Sequence, residues 1–318
     1  MQRNHFLATL AAALALPGFA LAQGQPVRIL LGFPPGASGD TMTRKLAEKM
    51  RGALGEAVIV ENKPGAGGRL ALEQLKAAPA DGRTLIFTPL TPLTAAPWLY
   101  PVKYDAAADF QPITHIANFK YVFAVGPQVR ASSLAEFVAL VRSDPKLGFY
   151  SASAPGGGAH MAADAFARSN RIDMRYVGYK GTANALTDLL GGQLPAFMGN
   201  VADFVEFARQ GRVKILGVAH AERSRHLPQV PTFKEQGFDI EAGGWFAIYA
   251  PARTPAAAVA RLSRAVIDAV NDPEVRTLAD GLGLEPTGWG PRELAAVQRS
   301  EYELTGARIK ASGFKAEE

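Results

Sequence analysis

The chain contains no cysteine among its 318 residues. This absence excludes disulfide bonds, thiolate metal sites and a lipid anchor on an N-terminal cysteine. Beyond residue 22, no stretch reaches the length of uncharged apolar sequence that a membrane-spanning helix needs. An excess of one charge is also lacking, because 34 basic residues face 29 acidic ones and no basic arm or run is present. The sequence therefore predicts neither nucleic-acid binding nor a direct membrane anchor.

Recognisable catalytic motifs are missing as well. There is no G-x-S-x-G turn and no Walker loop, and the glycine-rich stretch at 65–70 departs from the dinucleotide fingerprint at its final position. The histidines beyond residue 22 lack metal-ligand spacing; they are His115, His160, His220 and His226. We therefore expect no metal, no cofactor and no catalytic residue, as in a protein that is not an enzyme.

The N-terminus has the composition of an export signal. Arg3 precedes an apolar stretch at 6–19, and the small-x-small sequence at 20–22 is typical of a cleavage site. This pattern predicts a secretory signal peptide at residues 1–22 and a periplasmic mature protein. The overall hydrophobic content of 48% and charged content of 20% are typical of a globular protein with a substantial core.

Apolar runs of strand length alternate with helical patterns along most of the chain. This alternation predicts an α/β fold with parallel strands and helices on both faces of each sheet. Two further apolar runs, at 119–126 and 245–250, are predicted to cross between two lobes. We expect two doubly wound sheets joined by these crossing strands, with 23–124 plus 249–318 in the first lobe and 125–248 in the second.

Local signals refine this assignment. Ser133 with Glu136, and Thr232 with Glu235, form capping boxes that predict helix starts. The stretch 89–97 is predicted to be a loop. Everything after residue 254 is predicted to be helical and to cover the first sheet.

Two loops of similar composition each join a strand to a helix. They are FPPGASG at 33–39, before a helix expected from Thr41 and capped by Ser38 or Asp40, and SAPGGGA at 153–159. The unpaired N–H groups and the dipole at a helix N-terminus favour an anion. If the loops face each other at the carboxyl ends of their sheets, they form a cleft suited to a carboxylate. Ordinary strand-to-helix turns remain the alternative.

Several longer stretches together resemble one protein family. The chain resembles the extracytoplasmic solute-binding proteins of tripartite tricarboxylate transporters, known as Bug proteins. The resemblance implies a two-lobed periplasmic binding protein fold, type II-like, that binds a small carboxylate between its lobes and delivers it to integral-membrane transporter subunits, working as a monomer. The matching stretches are FPPGASGDTMTR (33–44), VIVENKPGAGG (58–68), DGRTLIF (81–87), GYKGTANALTDLLGGQ (178–193), RSRHLPQVPTFKEQGF (223–238), WFAIYAPARTP (245–255) and DPEVRTLADGLGLEPTG (272–288).

The resemblance also implies a set of ligand-binding residues. In the first lobe these are Phe33, Pro35, Gly36, Ala37, Ser38, Thr88 and Thr91. In the second lobe they are Ser153, Gly156, Gly157, Gly158, His160, Tyr179 and Asn200. Asp40 matches an acid of the family motif, and we assign it to helix capping or loop bracing because its charge would repel an anionic ligand.

The sequence departs from the family pattern beside the expected cleft, so the identity of the carboxylate, aliphatic or aromatic, stays open. Two other functions also stay open. One is a sensory protein that hands its ligand to a receptor kinase. The other is an exported α/β enzyme acting on an acidic substrate, which would need a metal or a nucleophile–base pair in the cleft, such as Ser38 or Ser153 with His160. The departures are Ala37, Ser151, Ala154, Gly178 and Pro195.

Overall fold

A computed structural model describes residues 25–315, and the predicted signal peptide at 1–22 lies outside this range. The described chain has a two-lobed α/β architecture built on two sheets that share one strand. We call the lobe containing β1–β3 the first lobe and the lobe containing β5–β8 the second lobe. The strands are β1 Val27–Leu31, β2 Val58–Asn62, β3 Thr84–Pro89, β4 Phe110–Val125, β5 Phe149–Ala152, β6 Arg175–Tyr176, β7 Ala196–Asn200, β8 Lys214–Ala219, β9 Gly243–Pro251 and β10 Glu285–Trp289.

The helices lie between these strands and after them. They are α1 Ser38–Leu54, α2 Arg69–Ala77, α3 Thr91–Thr94, α4 Ala96–Leu99, α5 Leu134–Ser143, α6 Gly158–Asn170, α7 Thr182–Leu190, α8 Val201–Arg209, α9 Ala256–Asn271, α10 Pro273–Leu282 and α11 Pro291–Ser312. Short 3₁₀ turns occupy Ala66–Gly68, Pro145–Gly148 and Lys234–Gln236. None of the helices within residues 25–315 is long and apolar enough to cross a membrane.

The first sheet has the order β2-β1-β3-β9-β4-β10. Strands β1, β2 and β3 run parallel, whereas β9 runs antiparallel to both β3 and β4. The second sheet has the order β8-β4-β7-β5-β6, with β5, β6 and β7 parallel. In both sheets the parallel strands lead into helices at the same edge, which is where ligands of such sheets bind.

Strand β4 is the 16-residue element that passes from one sheet to the other. Lys120 pairs with Gly243 in the first sheet, whereas Tyr121 pairs with Asn200 and Ala219 in the second. The second crossing is β9. Just before it, the N–H of residue 242 still donates to the carbonyl of Ala219, at the end of β8. Both predicted crossing strands are therefore present, as β4 and β9. In each, the hydrogen-bond pairing moves from one sheet to the other a few residues before the predicted lobe boundary. The division of the chain at 124/125 and 248/249 stays a prediction.

The C-terminal helices pack mainly on the first lobe, as expected. Helix α9 contacts α1 and β4, and α11 contacts β4 and α3. Helix α10, however, also contacts α8 of the second lobe. The prediction that everything after residue 254 is helical was wrong, because β10 pairs with β4 between α10 and α11.

The local start signals had mixed outcomes. Ser133 Oγ accepts the N–H of Glu136 (3.1 Å) at the start of α5, so this helix start is confirmed. Thr232 Oγ1 accepts the N–H of Glu235 (3.0 Å), but only the 3₁₀ turn at Lys234–Gln236 follows it. The stretch predicted as a loop at 89–97 contains the one-turn helix α3 and the start of a second, α4.

Helix α1 begins at Ser38, three residues earlier than Thr41, and its N-cap position is Ala37. The prediction that Ser38 or Asp40 caps this helix was therefore wrong. Both residues lie inside its first turn. The Asp40 carboxylate binds Asn62, outside the helix, and Arg44, one turn further along it.

Candidate functional site

A small cavity lies between the lobes, at the carboxyl ends of the parallel strands. The loop from β1 to α1 forms one wall, and the loop from β5 to α6 together with the start of α8 forms the other. Its volume is about 60 Å³. We call it the interlobe cavity. The two glycine-containing loops do face each other across it.

Half of the predicted ligand-binding residues line this cavity. They come from both lobes and from four separate segments of the chain. From the first lobe these are Phe33, Ala37, Ser38 and Thr91, and from the second lobe Ser153, Gly157 and Asn200. The structure therefore brings together residues that are far apart in sequence.

Other predicted residues lie away from the cavity wall. Pro35 and Gly36 are exposed on the outside of the first loop. Thr88 is buried, and its hydroxyl donates to the Pro89 carbonyl (3.0 Å). The Tyr179 hydroxyl donates to Asp188 Oδ2 (2.7 Å), which ties it into its own lobe.

Three more predicted residues lie in the second loop or just after it but do not line the cavity, namely Gly156, Gly158 and His160. The Gly156 N–H donates to His160 Nδ1 (3.0 Å), and Gly156 has a φ of 69°, which favours glycine. The imidazole stacks on the Tyr176 ring with centroids 4.0 Å apart. Burial lowers the pKa of His160 to about 4, so the ring is neutral at neutral pH and can accept this bond. His160 thus positions the loop from outside the cavity.

Asp40 holds the first loop in an equivalent way. Its carboxylate accepts hydrogen bonds from Arg44 (2.9 Å), Asn62 Nδ2 (3.0 Å) and the Gly36 N–H (3.3 Å). Asn62 also donates to the Phe33 carbonyl (3.0 Å). Burial raises the pKa of Asp40, but the hydrogen bonds outweigh that effect and hold it below its ordinary value. These contacts support loop bracing.

The arrangement does not supply a nucleophile and base. His160 Nδ1 is used by the Gly156 N–H, and among residues 25–315 neither Ser38 nor Ser153 hydrogen-bonds to His160. Within the same range, no group of three or more His, Asp or Glu residues could hold a metal ion.

Sequence reasoning missed the acid that lines the second wall. Asp203, on the first turn of α8, is only 8% exposed. The N–H of Ser38 donates to its Oδ1 (3.1 Å), which links α1 of the first lobe to α8 of the second. Burial raises the pKa of Asp203, and the hydrogen bonding of Ser38 offsets part of that rise. Its place just after the end of β7 could have marked it as a cavity residue.

The aromatic wall of the cavity was also largely missed. Phe246 packs against Phe87 and Phe119, with ring centroids 5.1 and 4.8 Å apart, and Tyr121 and Phe33 complete the wall. Of the two aromatic residues expected to bind ligand, Phe33 lines the cavity and Tyr179 does not. Trp245, next to Phe246 on β9, packs against His115 (5.6 Å), in a groove on the other side of the crossing strands.

The family model described as "Tripartite tricarboxylate transporter family receptor" matches residues 42–314. This match covers most of the chain. The chain belongs to this family. The resemblance read from the sequence motifs is therefore confirmed.

Relatives of this receptor cover almost its whole length. BugT of Bordetella pertussis is 28% identical, and the alignment covers 99% of each chain. The structure of the periplasmic binding protein BugD is 27% identical with a TM-score of 0.86, covering 92% of this chain and 99% of BugD. MatC from Rhodopseudomonas palustris with bound malate is 29% identical with a TM-score of 0.84, covering 89% and 98%. These structures confirm the periplasmic binding protein fold.

Some of the departures from the family pattern line the interlobe cavity and others lie away from it. Ala37 and Ala154 line the interlobe cavity of this receptor. Ser151 is buried within β5, and Gly178 is exposed. The carbonyl of Pro195 accepts a hydrogen bond from the Gly126 N–H (2.9 Å). The two alanines are thus the departures placed to contact a ligand.

Proposed function

We propose that this receptor is a periplasmic solute-binding protein that captures a small carboxylate in the interlobe cavity and delivers it to the membrane subunits of a tripartite tricarboxylate transporter. The observation that carries the proposal is the pair of facing loops, each ending in a helix N-terminus. MatC, a relative of the same fold, is described with bound malate.

The chemistry of these helix ends suits a carboxylate. Both α1 and α6 begin with small residues in extended conformation at the N-cap position, Ala37 and Gly157. The first N–H groups of a helix have no partner within the helix, and together with the helix dipole they favour an anion. Anion binding of this kind needs no basic side chain.

The ligand is proposed to hold the lobes together. Thr91 lies against Gly157, where an added Cβ atom would come within 2.8 Å of Thr91 Oγ1. Pro34 and Gly181 approach similarly, with 2.7 Å between Pro34 Cδ and an added Cβ atom on Gly181. Such contact across the cavity is expected of the closed form, which a hinge at the crossing strands opens to release ligand.

Ligand binding can be tested by thermal-shift screening of the purified protein against mono-, di- and aromatic carboxylates, with the matching amides as controls. A ligand present at one hundred times its Kd stabilises the folded state by about 2.7 kcal/mol. We expect stabilisation by at least one carboxylate and none by its amide, followed by stoichiometric binding in calorimetry. Absence of stabilisation across all carboxylates would contradict the proposal.

Delivery to a transporter is tested separately in cells. Deleting the gene should abolish uptake of the carboxylate identified by calorimetry, and restoring it should recover uptake. Unchanged uptake together with a lost transcriptional response would favour the sensory alternative.

A further inference from the structure

The interlobe cavity contains a buried acid without a cation. Asp203 is 8% exposed, and its Oδ1 accepts the Ser38 N–H. Within the part of the chain that the structure describes, no Lys, Arg or His lines the cavity. The other acid there, Asp40, is paired with Arg44 (2.9 Å). Asp203 is therefore the acidic group on this wall whose charge is not balanced by a neighbouring base.

A second acceptor lies one helical turn away. Asn200, at the N-cap position of α8, is 7% exposed, and its Oδ1 has no hydrogen-bond partner among the described residues. Leaving a buried acceptor unpaired destabilises the protein. Asn200 and Asp203 together therefore present oxygen acceptors that a ligand with N–H donors would satisfy.

Another part of the same wall remains available for the ligand carboxylate. Because Asp203 already accepts the Ser38 N–H, a carboxylate of this chain partly occupies the N-terminus of α1. The N-terminus of α6 and the Ser153 hydroxyl, which has no hydrogen-bond partner in the described chain, are left for an external anion. A ligand carrying a positive and a negative group would match both the acceptors of α8 and the donors at the start of α6.

We propose that the ligand of this receptor is an amino carboxylate whose ammonium group is bound by Asp203 and Asn200, an inference that rests on the proposed function. An ammonium group offers three N–H donors, enough for both acceptors. The aromatic wall favours the same charge, because the face of a ring such as Phe246 attracts a cation. A dicarboxylate would instead place its second negative charge near Asp203, which disfavours it.

Calorimetry at pH 7 tests this choice with three probe sets of matched chain length: straight-chain α- and ω-amino carboxylates, dicarboxylates and unsubstituted monocarboxylates. We expect the wild type to bind the best amino carboxylate about tenfold or more tightly than the dicarboxylate of equal length. Asp203→Asn should weaken amino carboxylate binding by a similar factor and strengthen dicarboxylate binding.

Glu206→Gln is the matched control, because Glu206 lies on the same helix with a side chain that is 63% exposed. It should leave all affinities unchanged. Should Asp203→Asn fail to fold, Asp203→Ser tests the same loss of charge.

The outcomes separate this inference from the proposed function. If dicarboxylates bind the wild type more tightly, or if Asp203→Asn weakens all three classes equally, Asp203 only links the lobes, and the inference is overturned while carboxylate binding stands. If no probe of any class binds any variant, the proposed function itself is contradicted.

Discussion

The ring of Phe314 packs edge-on against the imidazole of His160, with ring centroids 4.9 Å apart. Nearby, Arg168 of α6 donates to the Ser312 carbonyl at the end of α11 (2.6 Å). Helix α11 packs on the first sheet, yet through this hydrogen bond its C-terminal end is linked to α6 of the second lobe. The C-terminal segment therefore supports the histidine that accepts the Gly156 N–H behind the second loop.

Removing the Phe314 ring should weaken this support. We expect Phe314→Ala to lower the free energy of unfolding by about 3 kcal/mol, because it deletes a buried aromatic side chain. Leu304→Ala, on the preceding helix α11 at a residue that is 42% exposed, should change it by less than about 0.5 kcal/mol. Urea denaturation measures both. Equal effects of the two substitutions would contradict a supporting role for Phe314.

Adding one methyl group at Gly157 should obstruct closure of the lobes. The backbone there has a φ of −79°, which alanine adopts without strain, but the new Cβ atom would lie 2.8 Å from Thr91 Oγ1 of the opposite lobe. We expect Gly157→Ala to fold normally, to bind ligand about tenfold or more weakly, and to have a larger radius of gyration in solution scattering with ligand present.

Gly178→Ala is the control for this substitution. An added Cβ atom at Gly178 meets only the Tyr176 ring, at an ordinary 3.7 Å. Its affinity should match the wild type. An affinity loss shared by both alanine variants would show that closure at Gly157 is not the cause.

Acid should destabilise the protein through two buried histidines. Burial lowers the pKa of His115 and His160 to about 4, whereas each has its ordinary value near 6.5 in the unfolded chain. The unfolded state therefore binds more protons between these values, and stability falls as the pH drops from 6.5 towards 4. Each histidine should cost about 2 kcal/mol between pH 7 and pH 5.

Urea denaturation at the two pH values checks this expectation. His160→Gln and His115→Gln should each reduce the difference in unfolding free energy between pH 7 and pH 5 by about 2 kcal/mol. The double variant should show the sum of the two reductions. An unchanged difference in both single variants would exclude these histidines as its source.

The contribution of Asp203 to folding stability should have the opposite pH dependence to that of the two histidines. Burial raises its pKa above the ordinary 3.8, so the folded state binds the proton more readily, and ligand-free stability falls as the pH rises through this window. Asp203→Asn should therefore be more stable than the wild type at pH 7, with the gain shrinking as the pH falls towards 3.8. Chemical denaturation without ligand measures this, and Glu206→Gln should show no such gain.

The sequence predicted most of the framework, because strand and helix periodicities are local. It missed β10, whose sequence EPTGW contains both proline and glycine and lacks alternation. This strand exists because β4 offers it a partner, with Glu285 opposite Asn118. Pairing between segments that are distant in sequence leaves no periodic signal.

The site was predicted in part for a similar reason. The two loops are recognisable from their small residues, and both line the interlobe cavity. The aromatic wall was missed because Phe119 and Phe246 lie on strands that read only as apolar crossings, and the face each presents depends on the assembled sheet. The start of α1 was misplaced because Ser38 and Asp40 are residue types typical of an N-cap, whereas the cap position falls on Ala37 and Asp40 accepts the Gly36 N–H from inside the first turn.

The position of β9 also has a consequence for the order of folding. In the first sheet β9 separates β3 from β4, although residues 126–242 lie between β4 and β9 in the sequence. During synthesis, the first sheet therefore has an open gap until residue 251 has emerged, whereas every strand of the second sheet is available by residue 219. The second lobe can thus assemble while the first still exposes two unpaired strand edges, which is the stage at which an unfinished chain is most prone to aggregate.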